Sequence, residues 1–198
     1  MNISDIKIGY SVRPKIIAEI GINHEGSLDL AKRMAELAVE NGADLVKTQL
    51  HIPSEEMSNQ AKKVIPSHTK NSIFKIMEDC SLSIDDEYEL KNFIESIGGT
   101  YLCTPFSATA ARILGEFNVS AFKIGSGECN NPQIIQEISK YKKPTIISTG
   151  MNNLDSVKRT FFLTKKSDIE TIFMHTTNLY PTPEYLVRLG SIGELQDL

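Results

Sequence analysis

The 198-residue sequence predicts an α/β fold, the first six βα units of a (β/α)8 TIM barrel. Three observations carry that prediction. Six short apolar runs recur along the chain, each followed by a helical pattern or the start of one. Polar side chains gather at the carboxyl end of each run, where barrel enzymes place their chemistry. Neither G-x-G-x-x-G nor G-x-x-x-x-G-K-[ST] follows the first run, which argues against the competing doubly wound sheet. A closed barrel needs two further units and about 250 residues. Residues 1–198 are therefore expected to be the N-terminal part of one barrel domain, stopping in mid-pattern.

The elements follow in order. Residues 6–12 are expected to form a short strand or hairpin. Ile16, Ile17 and Ile20 then make the kind of run seen in a fully buried strand, interrupted by Glu19, whose burial would demand a partner. Asn23-His24-Glu25-Gly26 is turn chemistry, and Ser27 is a candidate N-cap. Leu28, Ala31, Met34, Ala35 and Ala38 fall at helical spacing, and Asn41-Gly42 closes that helix. The strand at 44–49 carries Lys47 and Gln49 on one face, because alternate residues share a face. A long connection, 51–70, contains Pro53, Pro66 and the pair Glu55-Glu56; its length points to function unless it hides a short helix. Helices are predicted at 71–80 and 85–97, the latter with Asp85 and Asp86 in its first turn and Gly98-Gly99 at its end. Strands at 100–106, 121–127, 145–150 and 171–177 alternate with helices at 108–117, 132–141 and 154–164. Pro181 and Pro183 exclude regular structure after the last strand, and 191–198 begins another helix.

Composition narrows the function classes. The chain is 40% hydrophobic with a formal net charge of −4, and its Lys and Arg residues form no stripe, so nucleic acid is not an expected partner. No run approaches the roughly 20 apolar residues of a membrane span, and the first 15 residues do not read as a secretory signal. A cytoplasmic location is expected. Cys80, Cys103 and Cys129 are odd in number, lack metal-site spacing and are expected to be free thiols.

The chemistry-bearing residues are those at the strand ends. They are Glu19; Lys47 and Gln49; Thr104 and Phe106; Lys123 and Ser126; Ser148; and His175, Thr176, Thr177 and Asn178. Lys47 and Lys123 lie within apolar strands, and a buried ammonium needs a counter-charge. Glu19 could supply one in an internal ion pair with no chemistry. The functional reading is an anionic ligand held by both lysines, with Ser126, Ser148 and Thr104 as hydroxyl donors and backbone N–H groups near the glycines as a phosphate cradle. His24 could be a ligand, a proton carrier or a loop-packing residue, and His175 a core or a site residue. His51 and His68 sit on the long connection. No pair has H-x-x-x-H spacing, so no metal site is assigned.

At this point a resemblance becomes specific. AEIGINHEGSLDLAK, GADLVKTQLHIPSEEMS, IGGTYLCTPFS, AFKIGSGECNN, PTIISTGMN and TTNLYPTPEYLVRLG together closely resemble the bacterial N-acetylneuraminate (sialic acid) synthases. The resemblance implies a (β/α)8 barrel followed by a small antifreeze-like C-terminal domain, absent here, that crosses to the partner in a homodimer. It implies condensation of phosphoenolpyruvate with N-acetylmannosamine. Lys47, Thr104, Lys123, Ser126, Ser148 and Asn178 would surround phosphoenolpyruvate, Gln49, Phe106 and Tyr180 would line the amino-sugar pocket, and Glu19 would be the catalytic carboxylate. The implied cofactor is a divalent metal, usually Mn²⁺, whose histidine ligands are expected beyond Leu198. The 198 residues alone are therefore expected to be inactive. Sister synthases making legionaminic or pseudaminic acid from a 6-deoxy-diacetamido sugar, and a non-catalytic anion-binding fragment, are the alternatives.

Overall fold

The computed structural model describes residues 1–66 and 69–198. His68 lies outside the described residues. The chain opens with an antiparallel hairpin, β1 (Asn2–Ile3) and β2 (Ile6–Lys7), in which Ile3 pairs with Ile6. The hairpin thus starts four residues earlier than the 6–12 segment expected from sequence. Six parallel strands follow: β3 (Ile17–Gly21), β4 (Leu45–Leu50), β5 (Thr100–Pro105), β6 (Phe122–Ile124), β7 (Thr145–Ser148) and β8 (Thr171–Met174). They lie in the sheet in the order in which they occur in the chain. Right-handed crossovers between strands added always on the same side put every helix on one face. A doubly wound sheet would reverse its strand order at a switch point, and this sheet does not.

The helices are α1 (Leu28–Glu40), α2 (Pro53–Glu56), α3 (Ile73–Cys80), α4 (Ile84–Ser96), α5 (Ala108–Glu116), α6 (Pro132–Ser139), α7 (Leu154–Lys166) and α8 (Ser191–Gln196). Six begin with a side-chain cap: Ser27, Ser72, Ser83, Ser107, Asn131 and Asn153 each accept a first-turn backbone N–H. Each such cap contributes about 1 kcal/mol. In the turn before α1, Gly26 adopts φ +78°, and a Cβ there would stand 2.6 Å from the Asp79 carbonyl oxygen. The long connection after β4 is not coil throughout, since it holds α2 and a 3₁₀ turn at Ala61–Lys63. Among the described residues no helix is long and apolar enough to cross a membrane.

Strand alternation divides the apolar side chains into two clusters. On the helix face, Val46, Tyr101, Cys103, Phe122, Ile124 and Ile147 pack against Ala31, Leu90, Leu114 and Ile135. On the other face, Leu45, Leu102, Ala121 and Ile146 pack against Ile3, with Ile6, Ile8 and Ile17 around them. The hairpin is therefore a plug over the amino ends of the strands on the face that no helix covers. Lys47, Lys123 and Ser148 each lie two residues beyond a member of this cluster, so they stand on the same face, nearer the carboxyl ends.

Two sequence expectations need correction. The first strand is not fully buried: Ile16 is 55% exposed and Glu19 faces solvent. Within the sheet β3 pairs only with β4, so one of its sides has no strand to cover it. The strand at 121–127 shortens to Phe122–Ile124, because Gly125 leads straight into a 3₁₀ turn at Ser126–Glu128.

Candidate active site

Parallel pairing sets Glu19 beside Lys47, and Lys47 beside Leu102. Lys47 Nζ lies 3.3 Å from Glu19 Oε2 and donates to Thr104 Oγ1 at 3.4 Å. The Lys47 side chain is 4% exposed and that of Glu19 62%, so water screens the carboxylate much more than the ammonium. Lys123, on β6, donates to Ser148 Oγ at 2.6 Å and to the Ile124 carbonyl at 2.9 Å. Burial pushes the Lys123 ammonium down to about 8, the charge of Lys47 pushes the same way, and Glu19 opposes both. Two buried lysines thus share one solvated carboxylate. The patch has positive charge to spare, and low-dielectric walls focus its field. Leu102 and Ile146 form the apolar floor beneath it.

A second group of polar atoms lies at the ends of β6, β7 and β8. Ser126 Oγ and Thr176 Oγ1 share a hydrogen bond of 2.9 Å, and the Gly150 N–H donates to Thr176 Oγ1 at 2.8 Å. Asn152 Nδ2 donates to the carbonyls of Ser126 and Gly150, both at 2.8 Å. Gly150 has no room for a side chain: a Cβ would come within 1.9 Å of Asn178 Oδ1. Ser126 and Asn178 are therefore gathered around Thr176 and Gly150. The sequence marks Thr176 only as one of several polar residues ending its strand; its place as the hub depends on a contact 50 residues away. A cleft of about 370 Å³ opens beside this group, lined by Gly150, Asn152, His175, Thr176 and Arg188. Arg188 is a cation that sequence reasoning missed, and no motif singled it out. A larger cleft of about 910 Å³ lies at the amino ends of β4 and β5. Its Arg13 and Lys15 already pair with Asp44, so it offers little free charge.

Of the three residues assigned to a sugar pocket, two come together. Gln49 Oε1 lies 3.3 Å from His51 Nε2, and the His51 ring stacks on Phe106 with centroids 4.1 Å apart. Tyr180 projects into solvent, 89% exposed, and is not enclosed with them. His51 Nδ1 lies 2.8 Å from Glu56 Oε1, a dyad that sequence reasoning did not assemble. His24 packs the turn before α1: its Nδ1 accepts the Gly26 N–H at 3.2 Å, and burial lowers its proton affinity. His175 bonds the Val187 carbonyl at 2.6 Å through Nε2. Among the described residues no three His, Cys, Asp or Glu side chains are grouped to hold a metal ion.

Taken together, the fold and this cluster define an α/β protein with a groove lined by lysines and amides at the carboxyl ends of parallel strands. Comparison with known proteins makes the assignment specific. The chain belongs to the NeuB family, whose model matches residues 34–198. It is 34% identical over 187 residues to the N-acetylneuraminate-9-phosphate synthase of Homo sapiens, covering 92% of this chain and 52% of that protein. It is 33% identical over 190 residues to the N,N'-diacetyllegionaminic acid synthase of Campylobacter jejuni subsp. jejuni, covering 92% and 57%. The chain spans about half the length of the curated relatives it matches. A crystal structure of N-acetylneuraminic acid synthetase from Leptospira borgpetersenii superposes with a TM-score of 0.90 at 24% identity, covering 100% of this chain and 66% of that one.

Proposed function

We propose that this chain carries the phosphoenolpyruvate site and part of the sugar site of a nonulosonic acid synthase. In this reading the sheet is an arc of a (β/α)8 barrel, and the whole protein condenses phosphoenolpyruvate with N-acetylmannosamine to give N-acetylneuraminate and phosphate. The observation that carries it is the pair of buried lysines, Lys47 and Lys123, sharing a single solvated carboxylate. A ligand with a carboxylate and a phosphate supplies the missing negative charge.

Each residue then has a task. Lys47 and Lys123 offset the charge of the enol phosphate and hold it, an electrostatic role that strengthens in a dry site. Thr104, Ser126 and Ser148 add hydroxyl donors, and Asn178 closes the phosphate side beside Gly150. Gln49 and Phe106 face the amino sugar. C3 of the enol phosphate attacks the sugar aldehyde and forms the new carbon–carbon bond. Water adds at C2, and phosphate leaves with cleavage of its C–O bond. Glu19, close to Lys47 and open to solvent, accepts the proton released by that water, and the alkoxide left at the former aldehyde oxygen takes up a proton to become the product hydroxyl. A divalent ion bound by residues other than those described, a homodimer and a cytoplasmic location belong to the same proposal.

The sister reading, a legionaminic or pseudaminic acid synthase, is equally compatible with these relatives, since the identity to the Campylobacter legionaminic acid synthase nearly equals that to the human protein. Relative turnover of N-acetylmannosamine and the 6-deoxy-diacetamido sugar by the whole protein decides between them. The phosphoenolpyruvate site itself is tested by calorimetric titration into this chain and into a Lys47→Ala, Lys123→Ala double variant. Binding that the variant loses supports the proposal. Equal binding by a folded variant refutes it.

A further inference from the structure

The contacts of His51 form a relay that the proposed function does not use. Its side chain is 6% exposed and that of Glu56 5%, and Glu56 Oε2 is buried without a hydrogen-bond partner. A buried carboxyl oxygen without a hydrogen-bond partner is costly to the fold. The Phe106 ring, tilted only 17° from the imidazole, fixes the plane in which His51 lies. At Nδ1 the neighbour is the Glu56 carboxyl, and one hydrogen between them satisfies both atoms. At the other ring nitrogen the neighbour is the Gln49 amide oxygen, which only accepts, so Nε2 carries the hydrogen of that contact. The Gln49 NH2 group is left as the free end. Gln49 shares its strand face with Lys47, the face of the anion patch.

We propose that His51 is a positioning residue: held by Glu56 and clamped on Phe106, it ties down the Gln49 carbonyl and so presents the Gln49 NH2 to an acceptor oxygen of the sugar. A lone pair on Nε2 would instead take the NH2 for itself and turn the carbonyl toward the substrate, so the hydrogen on Nε2 decides whether the pocket recognises an acceptor or a donor at that point. This inference rests on Gln49 lying in the amino-sugar pocket.

The test uses the 198-residue chain at pH 7. Nitrogen NMR of the His51 ring is expected to show Nε2 protonated in the wild type. Titrations with phosphoenolpyruvate present are expected to show N-acetylmannosamine binding at least tenfold weaker in Glu56→Gln and in Gln49→Glu, whose carboxylate cannot donate. Phosphoenolpyruvate affinity itself is expected to be unchanged in Glu56→Gln. An unprotonated Nε2 in the wild type overturns the inference. So does sugar affinity that survives both substitutions, or a wild type that binds phosphoenolpyruvate but no sugar. Loss of phosphoenolpyruvate binding in the Lys47, Lys123 titration is a separate readout. A failure there is a failure of the functional reading, whatever the state of His51.

Discussion

Replacing Lys123 by Met is expected to make the protein more stable and to abolish phosphoenolpyruvate binding. The ammonium is 4% exposed and its proton affinity falls from an ordinary 10.5 to about 8. At 1.36 kcal/mol per pH unit, keeping that charge at neutral pH costs the fold about 3 kcal/mol. Met fills a similar volume without the charge. It also leaves the Ser148 hydroxyl and the Ile124 carbonyl without their donor, a loss of about 1 kcal/mol each. The net expectation is a gain of about 1 kcal/mol at pH 7, measured by urea denaturation followed by circular dichroism. The pH dependence gives the sharper check. Between about pH 8 and 10.5 the unfolded chain still holds the lysine proton that the folded chain has shed, so Lys123 makes wild-type stability rise with pH in that window. The advantage of Lys123→Met is therefore expected to shrink above pH 8 and to reverse as pH nears 10.5. Cys103 is pushed up to about 12 by burial and acts in the opposite sense, but it is common to both proteins and cancels in the difference. A variant that is less stable at pH 7, with a constant gap from pH 7 to 10, would show that Lys123 is not desolvated.

Gly150→Ala is expected to displace Asn178, because the added Cβ has Asn178 Oδ1 within 1.9 Å and Thr176 Oγ1 within 2.7 Å. Phosphoenolpyruvate affinity should fall tenfold or more by calorimetry while the far-ultraviolet spectrum stays unchanged. Glu87, buried on the helix face, accepts hydrogen bonds from Thr48 and Tyr101, and burial raises its proton affinity. Glu87→Ala leaves the buried Tyr101 hydroxyl without its acceptor, while Thr48 Oγ1 keeps its 3.2 Å hydrogen bond to Tyr101 Oη, and is expected to cost about 1–3 kcal/mol in urea denaturation. Glu87→Gln keeps an acceptor and should lose far less. The folded chain keeps the Glu87 proton after the unfolded chain has released it, so this group makes wild-type stability fall as pH rises above 4.5, and Glu87→Gln is expected to remove that slope.

Much of this structure was legible because its signals are local. Ser27 and Asn41-Gly42 mark the ends of α1 by chemistry within a few residues, and the apolar positions between them follow the helical period. Lys47 and Lys123 stood out because an ammonium in an apolar strand is costly anywhere. Burial of the first strand was not legible, since Ile16 and Ile17 have the same side chains whether or not a neighbour covers them. The Glu19 carboxylate reached water for the same reason. The relay from Gln49 through His51 to Glu56 spans only eight residues, yet the pattern did not reveal it. It requires α2 to turn Glu56 back over the strand end, and Phe106 to arrive from β5. Thr176 and Arg188 became visible only when β6, β7 and β8 lay side by side.

The division of each strand between two faces has a consequence for how such a protein can change. Odd-numbered positions of β4 carry the pocket and its floor, while even-numbered ones pack against the helices. Scaffold and specificity are thus written on interleaved positions of the same strands and share few side-chain contacts. Substitutions at Gln49 or Ser148 can alter what is bound while Val46 and Ile147 go on holding the helices, so drift in ligand preference and loss of the fold are separable along a single strand.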